Sequence, residues 1–150
     1  MSTSPPESAA ELKARALRYL ARREHSRAEL ERKLQPYAES QQLLDGLLGE
    51  LEGRKLLSNH RFAEMRTHVL ARKYGAARIR QDLKAKGVPE DIVDGVSAEG
   101  ELERAAAILQ RKYRSVANTR EEKAKRVRFL QGRGFSSDVI YRLIRIGDHE

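Results

Sequence analysis

The feature that most constrains this 150-residue chain is an internal repeat. Leu34, Leu43 and Leu47 stand nine and then four residues apart. The same offsets recur at Leu83, Ile92 and Val96, and at Leu130, Val139 and Leu143. From the first residue of one trio to that of the next is 49 and then 47 residues. Ahead of each trio lies a basic segment: Leu20-Ala21-Arg22-Arg23, Leu70-Ala71-Arg72-Lys73-Tyr74 and Leu109-Gln110-Arg111-Lys112-Tyr113. Repeats of this length predict stacked helical units. Tetratricopeptide and ankyrin arrays, with periods near about 34 and 33, fit poorly.

Each unit parses into three helices. The first helices carry apolar residues mostly three and four apart, at Leu12, Ala16 and Leu20, at Phe62, Met65, Val69 and Leu70, and at Leu102, Ala106, Leu109 and Tyr113. That spacing gives one buried stripe per helix. Ser26 with Glu29 and Thr119 with Glu122 have the spacing of capping boxes for second helices. Gly87 and Gly134 are placed to end second helices in the left-handed conformation, each followed by an apolar residue, Val88 or Phe135, that can pack back. Pro89 suits a first helical turn. The first unit departs from the pattern with Gln35-Pro36-Tyr37-Ala38-Glu39-Ser40 in place of a Gly turn, and the third has a longer link around Ser115-Val116-Ala117-Asn118. No run of β-branched and aromatic residues alternates with period two, so no strand is expected. The reading is all-α: a disordered tail over 1–8, then three tandem three-helix, helix-turn-helix-like repeats over 9–57, 58–98 and 99–150. A hydrophobic fraction of 39% against 35% charged residues implies a thin core, which suits an elongated molecule.

The chain carries +8 at neutral pH, from 30 Lys and Arg against 22 Asp and Glu. Residues 1–65 are nearly neutral, with 11 basic and 10 acidic residues. Beyond them the charge falls in blocks. Residues 66–86 hold seven basic residues and one acid, 89–103 six acids and no base, and 111–133 nine basic residues and two acids. Two basic blocks flanking an acidic one point to polyanion contacts and a separate acidic face. The candidate contacts are Arg72, Lys73, Tyr74, Arg78, Arg80, Lys84, Arg111, Lys112, Tyr113 and Arg126, with Glu90, Asp91 and Asp94 facing a basic partner. Charge runs of this kind also serve merely as solvated faces. Tyr74 and Tyr113 could stack on a base, although their helical spacing favours core packing.

Chemistry for catalysis is missing. With no Cys, a disulfide framework, a thiolate zinc site and a Cys nucleophile are excluded. Neither a Gly-rich phosphate loop nor a Gly-x-Ser-x-Gly elbow occurs. His25 precedes Ser26, but a helix cap explains that Ser better than a nucleophile does. His60, Glu64 and His68 share a helix face, and spacing alone makes weak evidence for a metal site; His149 stands apart. No enzyme, metal or cofactor is expected. A major-groove reader would need basic or amide side chains on its third helix. The middle unit offers Glu90, Asp91 and Asp94 there, and the first unit adds Asp45, Glu50 and Glu52 to Gln41 and Gln42. Only the last, with Arg142 and Arg145, could read DNA. Met1-Ser2-Thr3-Ser4-Pro5-Pro6 lacks the basic start and apolar run of a signal peptide. No apolar stretch approaches the roughly 20 residues that span a bilayer. A soluble cytoplasmic protein is the expectation.

Three segments resemble the RecX family of bacterial regulators of the RecA recombinase. They are Arg22 to Leu34 (RREHSRAELERKL), Arg61-Phe62-Ala63 with Tyr74 to Val88 (YGAARIRQDLKAKGV), and Phe129-Leu130-Gln131-Gly132-Arg133-Gly134-Phe135. The middle one is the most specific. Ser58-Asn59 stands where the family often has an acidic pair, and both kinds of residue cap helices. The resemblance implies three tandem three-helix units and binding in the groove of a RecA–DNA filament, inhibiting its ATP hydrolysis, strand exchange and growth; a monomer is expected. It implies no catalytic residue and no cofactor. Single- or double-stranded DNA would be bound weakly by the chain alone. The alternative is a protein that acts on DNA directly, without RecA.

Overall fold

The computed structural model describes residues 5–144, and among them helix is the only regular secondary structure. The elements run α1 (Ala9–Arg22), α2 (Arg27–Leu34), a 3-10 turn (Gln35–Tyr37), α3 (Gln41–Gly53), α4 (Asn59–Leu70), α5 (Ala76–Ala85), α6 (Glu90–Val93), α7 (Glu101–Lys112), α8 (Arg120–Gly132) and α9 (Ser137–Leu143). Nine α-helices among the described residues fall into three sets of three, as the repeat predicts. The chain forms two compact units. Unit one holds residues through Met65 together with Leu83–Val93, and unit two holds Arg66–Asp82 together with residues from Asp94 onward.

The leading residue of each trio is fully buried: Leu34, Leu83 and Leu130 each expose 0%. In unit one Leu34 joins Leu12, Ala16, Leu30, Leu44, Leu48, Leu51 and Leu57 in a leucine-rich core under α1, α2 and α3. In unit two Leu130 packs with Ala105, Ile108, Phe135, Ile140 and Ile144, chiefly from α7, α8 and α9. Full burial of such a side chain contributes about 1.5–3 kcal/mol.

Helix ends follow from local chemistry. Gly87 and Gly134 have φ of +78° and +89°. The N–H of Val88 donates to the Leu83 carbonyl and that of Gly87 to Lys84, at 3.0 Å each. Phe135 and Gly134 repeat the pair on Leu130 and Gln131, at 3.2 and 3.0 Å. These are Schellman stops, and the following Val88 and Phe135 are buried. Thr119 and Glu122 form the expected capping box on α8. Ser26 caps α2, but Glu29 does not close a box there: its carboxylate is turned to Arg23, at 3.0 and 2.6 Å. Pro89 sits one position before α6, its carbonyl accepting from Ile92 and Val93. At four residues α6 is shorter than its pattern suggested, and Val96 lies past its end.

Of the stretch read as a tail, residues 1–4 lie outside the described residues. Ser8 makes a full capping box with Glu11 at the start of α1. Glu7 donates its N–H to the Tyr37 carbonyl at 2.9 Å and takes the Arg15 guanidinium at 2.7 Å. That bond with Arg15 holds the Glu7 carboxyl below its usual range. The segment is polar, so burial gave no signal, yet two of its side chains have partners within unit one. Ser58 and Asn59 also act as caps. Ser58 Oγ accepts from the Arg61 N–H, and Asn59 Oδ1 accepts from the Arg27 N–H at the start of α2.

Candidate functional site

Unit two carries the site. α4 ends at Leu70, whose carbonyl accepts from the N–H groups of Lys73 and Tyr74 at 2.9 Å, so Arg72 and Lys73 ride on a tight turn. The next residue, Gly75, donates to the Arg133 carbonyl at 2.7 Å. A Cβ on Gly75 would lie 2.6 Å from the Gly134 carbonyl carbon, and one on Gly134 would lie 2.7 Å from the Arg78 nitrogen. The two glycines therefore let the start of α5 and the end of α8 meet backbone to backbone. Glu101, only 4% exposed, caps α5 from a distance by accepting from the Ala76 N–H at 3.0 Å.

This close approach orders the arginines. Arg78 donates to the Gly132 carbonyl at 2.8 Å, Arg111 to the Arg72 carbonyl at 2.8 Å, and Arg133 to the Lys73 carbonyl at 3.3 Å. The Tyr74 ring has the Arg78 guanidinium 4.6 Å from its centre and that of Arg133 at 5.5 Å. Phe129 has Arg133 at 5.0 Å and the Lys112 ammonium at 5.4 Å. Arg72, Lys73, Tyr74, Arg111, Lys112 and Arg133, with Ile108 and Phe129, line an open hollow of about 370 Å³. A second hollow of about 430 Å³ in the same unit has Tyr113, Lys123 and Arg126 beside Val116 and Leu143.

The sequence candidates thus divide. Arg72, Lys73, Tyr74, Arg111 and Lys112 are brought together. Tyr113 is set apart from them: its ring meets Phe129 edge-on at 5.9 Å and lies 4.3 Å from the guanidinium carbon of Arg126, which is only 9% exposed. Both tyrosine rings therefore already have cations against them, which limits their use as platforms for a base. Arg78 and Arg80 hold backbone carbonyls, Arg80 that of Val96 at 3.1 Å. In unit one Lys84 lies 3.5 Å from Glu90, with both side chains mostly exposed. Asp91 is exposed in unit one and Asp94 in unit two. Arg133 and Phe129, which also line the hollow of Arg72 and Lys73, were not among the sequence candidates, although Gly132-Arg133-Gly134 marks a cation at the end of a helix.

Two other candidates read from the sequence do not develop. His60, Glu64 and His68 are exposed on α4, and among the described residues no group of three His, Asp or Glu side chains is placed to hold a metal. α6 is too short for a recognition helix; on α9 Arg142 is exposed, while Arg145 and His149 lie outside the described residues. No described helix is long and apolar enough to cross a membrane.

Family models describing the first, second and third three-helix domains of RecX match residues 13–36, 58–96 and 99–144. The chain belongs to the RecX family. The protein named regulatory protein RecX of Ralstonia nicotianae is 47% identical over 146 residues, covering 95% of this chain and 92% of that one. Its namesake in Leptothrix cholodnii is 45% identical, covering 93% and 90%. A crystal structure of RecX from Lactobacillus salivarius superimposes with a TM-score of 0.81 at 21% identity, covering 91% of this chain and 94% of that one. Another, of a regulatory protein RecX, gives 0.76 at 27% identity, covering 91% and 72%. The RecX third-domain match contains the arginine-bearing ends of α7 and α8, and the second-domain match contains the Arg72–Tyr74 turn.

Proposed function

We propose that this chain is a regulator of the RecA recombinase. It binds along the groove of the RecA–DNA filament, touches more than one protomer, and slows ATP hydrolysis, strand exchange and filament growth. It acts as a monomer in the cytoplasm, by binding and not by catalysis of its own. The observation that carries the reading, beside family membership, is the cationic hollow of unit two. Arg72, Lys73, Arg111, Lys112 and Arg133 converge there, and among the described residues none of them holds a carboxylate. A concave surface of one sign draws polyanions, here DNA phosphates or acidic RecA surface. Arg126, Tyr113, Arg78 and Arg80 of the same unit add to its polyanion contacts, Lys84 of unit one makes a contact of its own, and Glu90, Asp91 and Asp94 face basic RecA residues. A ligand bridging protomers favours an inactive filament only by binding that state better.

The test is the single-strand-dependent ATPase of the host RecA, titrated with the wild-type chain and with Lys73→Glu, Lys112→Glu. Inhibition well below one molecule per protomer is expected, and its loss in a variant that melts like wild type. A wild-type chain without effect at saturation overturns the proposal. Reversal of Arg78 and Arg80 is a poorer probe, because both guanidinium groups hold backbone carbonyls. The second reading, a protein that acts on DNA alone, draws on the same hollow. It requires tight binding to naked DNA at physiological salt and indifference to RecA.

A further inference from the structure

The hollow of unit two gathers into one space cations that hold no carboxylate among the described residues. In unit one, Lys13, Arg15, Arg23, Arg27 and Arg61 each hold a carboxylate. In the hollow, five cations face one concave space of about 370 Å³ with no Asp or Glu in the lining. Small-molecule clefts begin at roughly 300 Å³. Like charges held this close repel, and low-dielectric walls focus the field, so the favoured occupant is compact and carries several negative charges.

Two of the cations are fixed in place. Arg111 and Arg133 each spend an N–H on a backbone carbonyl of the Arg72–Lys73 turn. A guanidinium has five N–H donors, so each keeps donors to offer in a set direction, as paired phosphate oxygens require. Lys112 and Arg133 both stand over Phe129, and Arg133 stands over Tyr74 as well. The aromatic rings are thereby committed to cations, and the hollow offers phosphate contacts in preference to base stacking. A nucleic-acid strand places a sugar between successive charges. Linked phosphates put theirs side by side.

We propose that this hollow binds the linked phosphates of a nucleoside di- or triphosphate, with sugar and base directed outward. The inference stands on the isolated chain and goes beyond the filament reading; where that reading holds, nucleotide and filament compete for the same cations. Because the lining has no carboxylate to take a metal ion, magnesium bound to the phosphates neutralises charge without gaining a ligand, and it weakens binding.

The experiment is calorimetric titration of the purified full chain at about 0.15 M salt, where long-range attraction is screened. The probes are ATP, GTP, ADP and AMP, each with EDTA or magnesium, and a short single-stranded oligonucleotide. Saturable one-to-one binding is expected. ATP and GTP should agree within about twofold and AMP should be at least about tenfold weaker, a step of about 1.4 kcal/mol. Lys73→Ala with Lys112→Ala should lower ATP affinity at least about tenfold, while Arg120→Ala with Lys125→Ala, removing equal charge from exposed positions on α8, should leave it unchanged. Equal losses in both variants would reduce the effect to net charge and overturn the proposal. So would AMP binding as well as ATP, or binding of the oligonucleotide alone.

Discussion

His25 is 1% exposed, and its two ring nitrogens have opposite duties. Nδ1 lies 3.1 Å from the Arg23 carbonyl, which can only accept, so Nδ1 carries the proton. Nε2 must then accept from the Lys33 ammonium at 2.8 Å. Protonating the ring would remove that acceptor and set a second cation beside Lys33. Burial is the main cause that lowers the His25 pKa, joined by the Arg23 and Lys33 charges; the Arg23 carbonyl and Glu29 oppose them. A depressed folded-state value means that the contribution to stability is present above the unfolded value of about 6.5 and is lost as pH falls through the folded one. The melting temperature is therefore expected to drop between pH 7.5 and 5.5, and His25→Gln should flatten that drop. A profile with equal slope in both proteins would show that His25 is not the titrating group. Glu29 beside it is shifted in the same direction, against the effect of burial. Burial would raise its carboxyl, and the Arg23 hydrogen bonds and charge bring it below the usual range. Gly75 makes a separate demand at this scale. Gly75→Ala drives a methyl against the Gly134 carbonyl, and overpacking of this kind costs about 1–3 kcal/mol. Chemical denaturation would read the loss, and a midpoint equal to wild type would contradict the close approach.

Among the elements, Leu83 tests the repeat most directly, because it leads the middle trio and exposes 0%. Leu83→Ala should cost about 2–5 kcal/mol, since the cavity adds to the lost transfer energy. Equal melting temperatures would sink the core assignment. On α8, Thr119→Ala removes an acceptor for the Glu122 N–H and should cost about 1 kcal/mol. The Glu122 carboxyl, lowered by the N–H groups of Asn118 and Thr119, closes the other half of that box. These positions were legible in the sequence because they depend on local rules: periodic apolar residues, a Thr three before a Glu, a Gly before an apolar residue. The box at Ser8 obeyed the same rule and was hidden by its Pro-rich neighbourhood. Glu29 was misassigned because a tertiary partner, Arg23, outcompeted the local cap. The site was legible in part, for a similar reason. Charge blocks picked out Arg72, Lys73, Arg111 and Lys112, but nothing in one dimension shows Gly75 resting on Gly134. That close approach brings in Arg133 and gives Arg78 the Gly132 carbonyl as a partner.

For the molecule as a whole, the net charge of +8 says less than its pairing. Unit one pairs several of its cations with carboxylates, as in Lys13 with Glu50 at 2.7 Å and Arg61 with Glu24 at 2.8 Å. Unit two leaves a group of them facing one hollow. Stability and recognition are thus expected to respond to charge in different places. Lys13→Ala breaks a partly exposed ion pair, worth about 0–1 kcal/mol, and should leave binding to RecA–DNA filaments unchanged. Arg72→Ala with Lys112→Ala should leave melting unchanged, because neither side chain holds an acid among the described residues, and should weaken filament binding. If these two side chains meet DNA phosphates, the salt dependence carries the signature. Removing one cation from a phosphate lowers the slope of log affinity against log salt by about 0.7–0.9, so the double variant should be shallower by about 1.5. Fluorescence anisotropy of labelled filaments across a salt series measures that slope. A variant that is weaker but equally steep would move the interaction from DNA to RecA protein, and one that is neither weaker nor shallower would remove both residues from the interface.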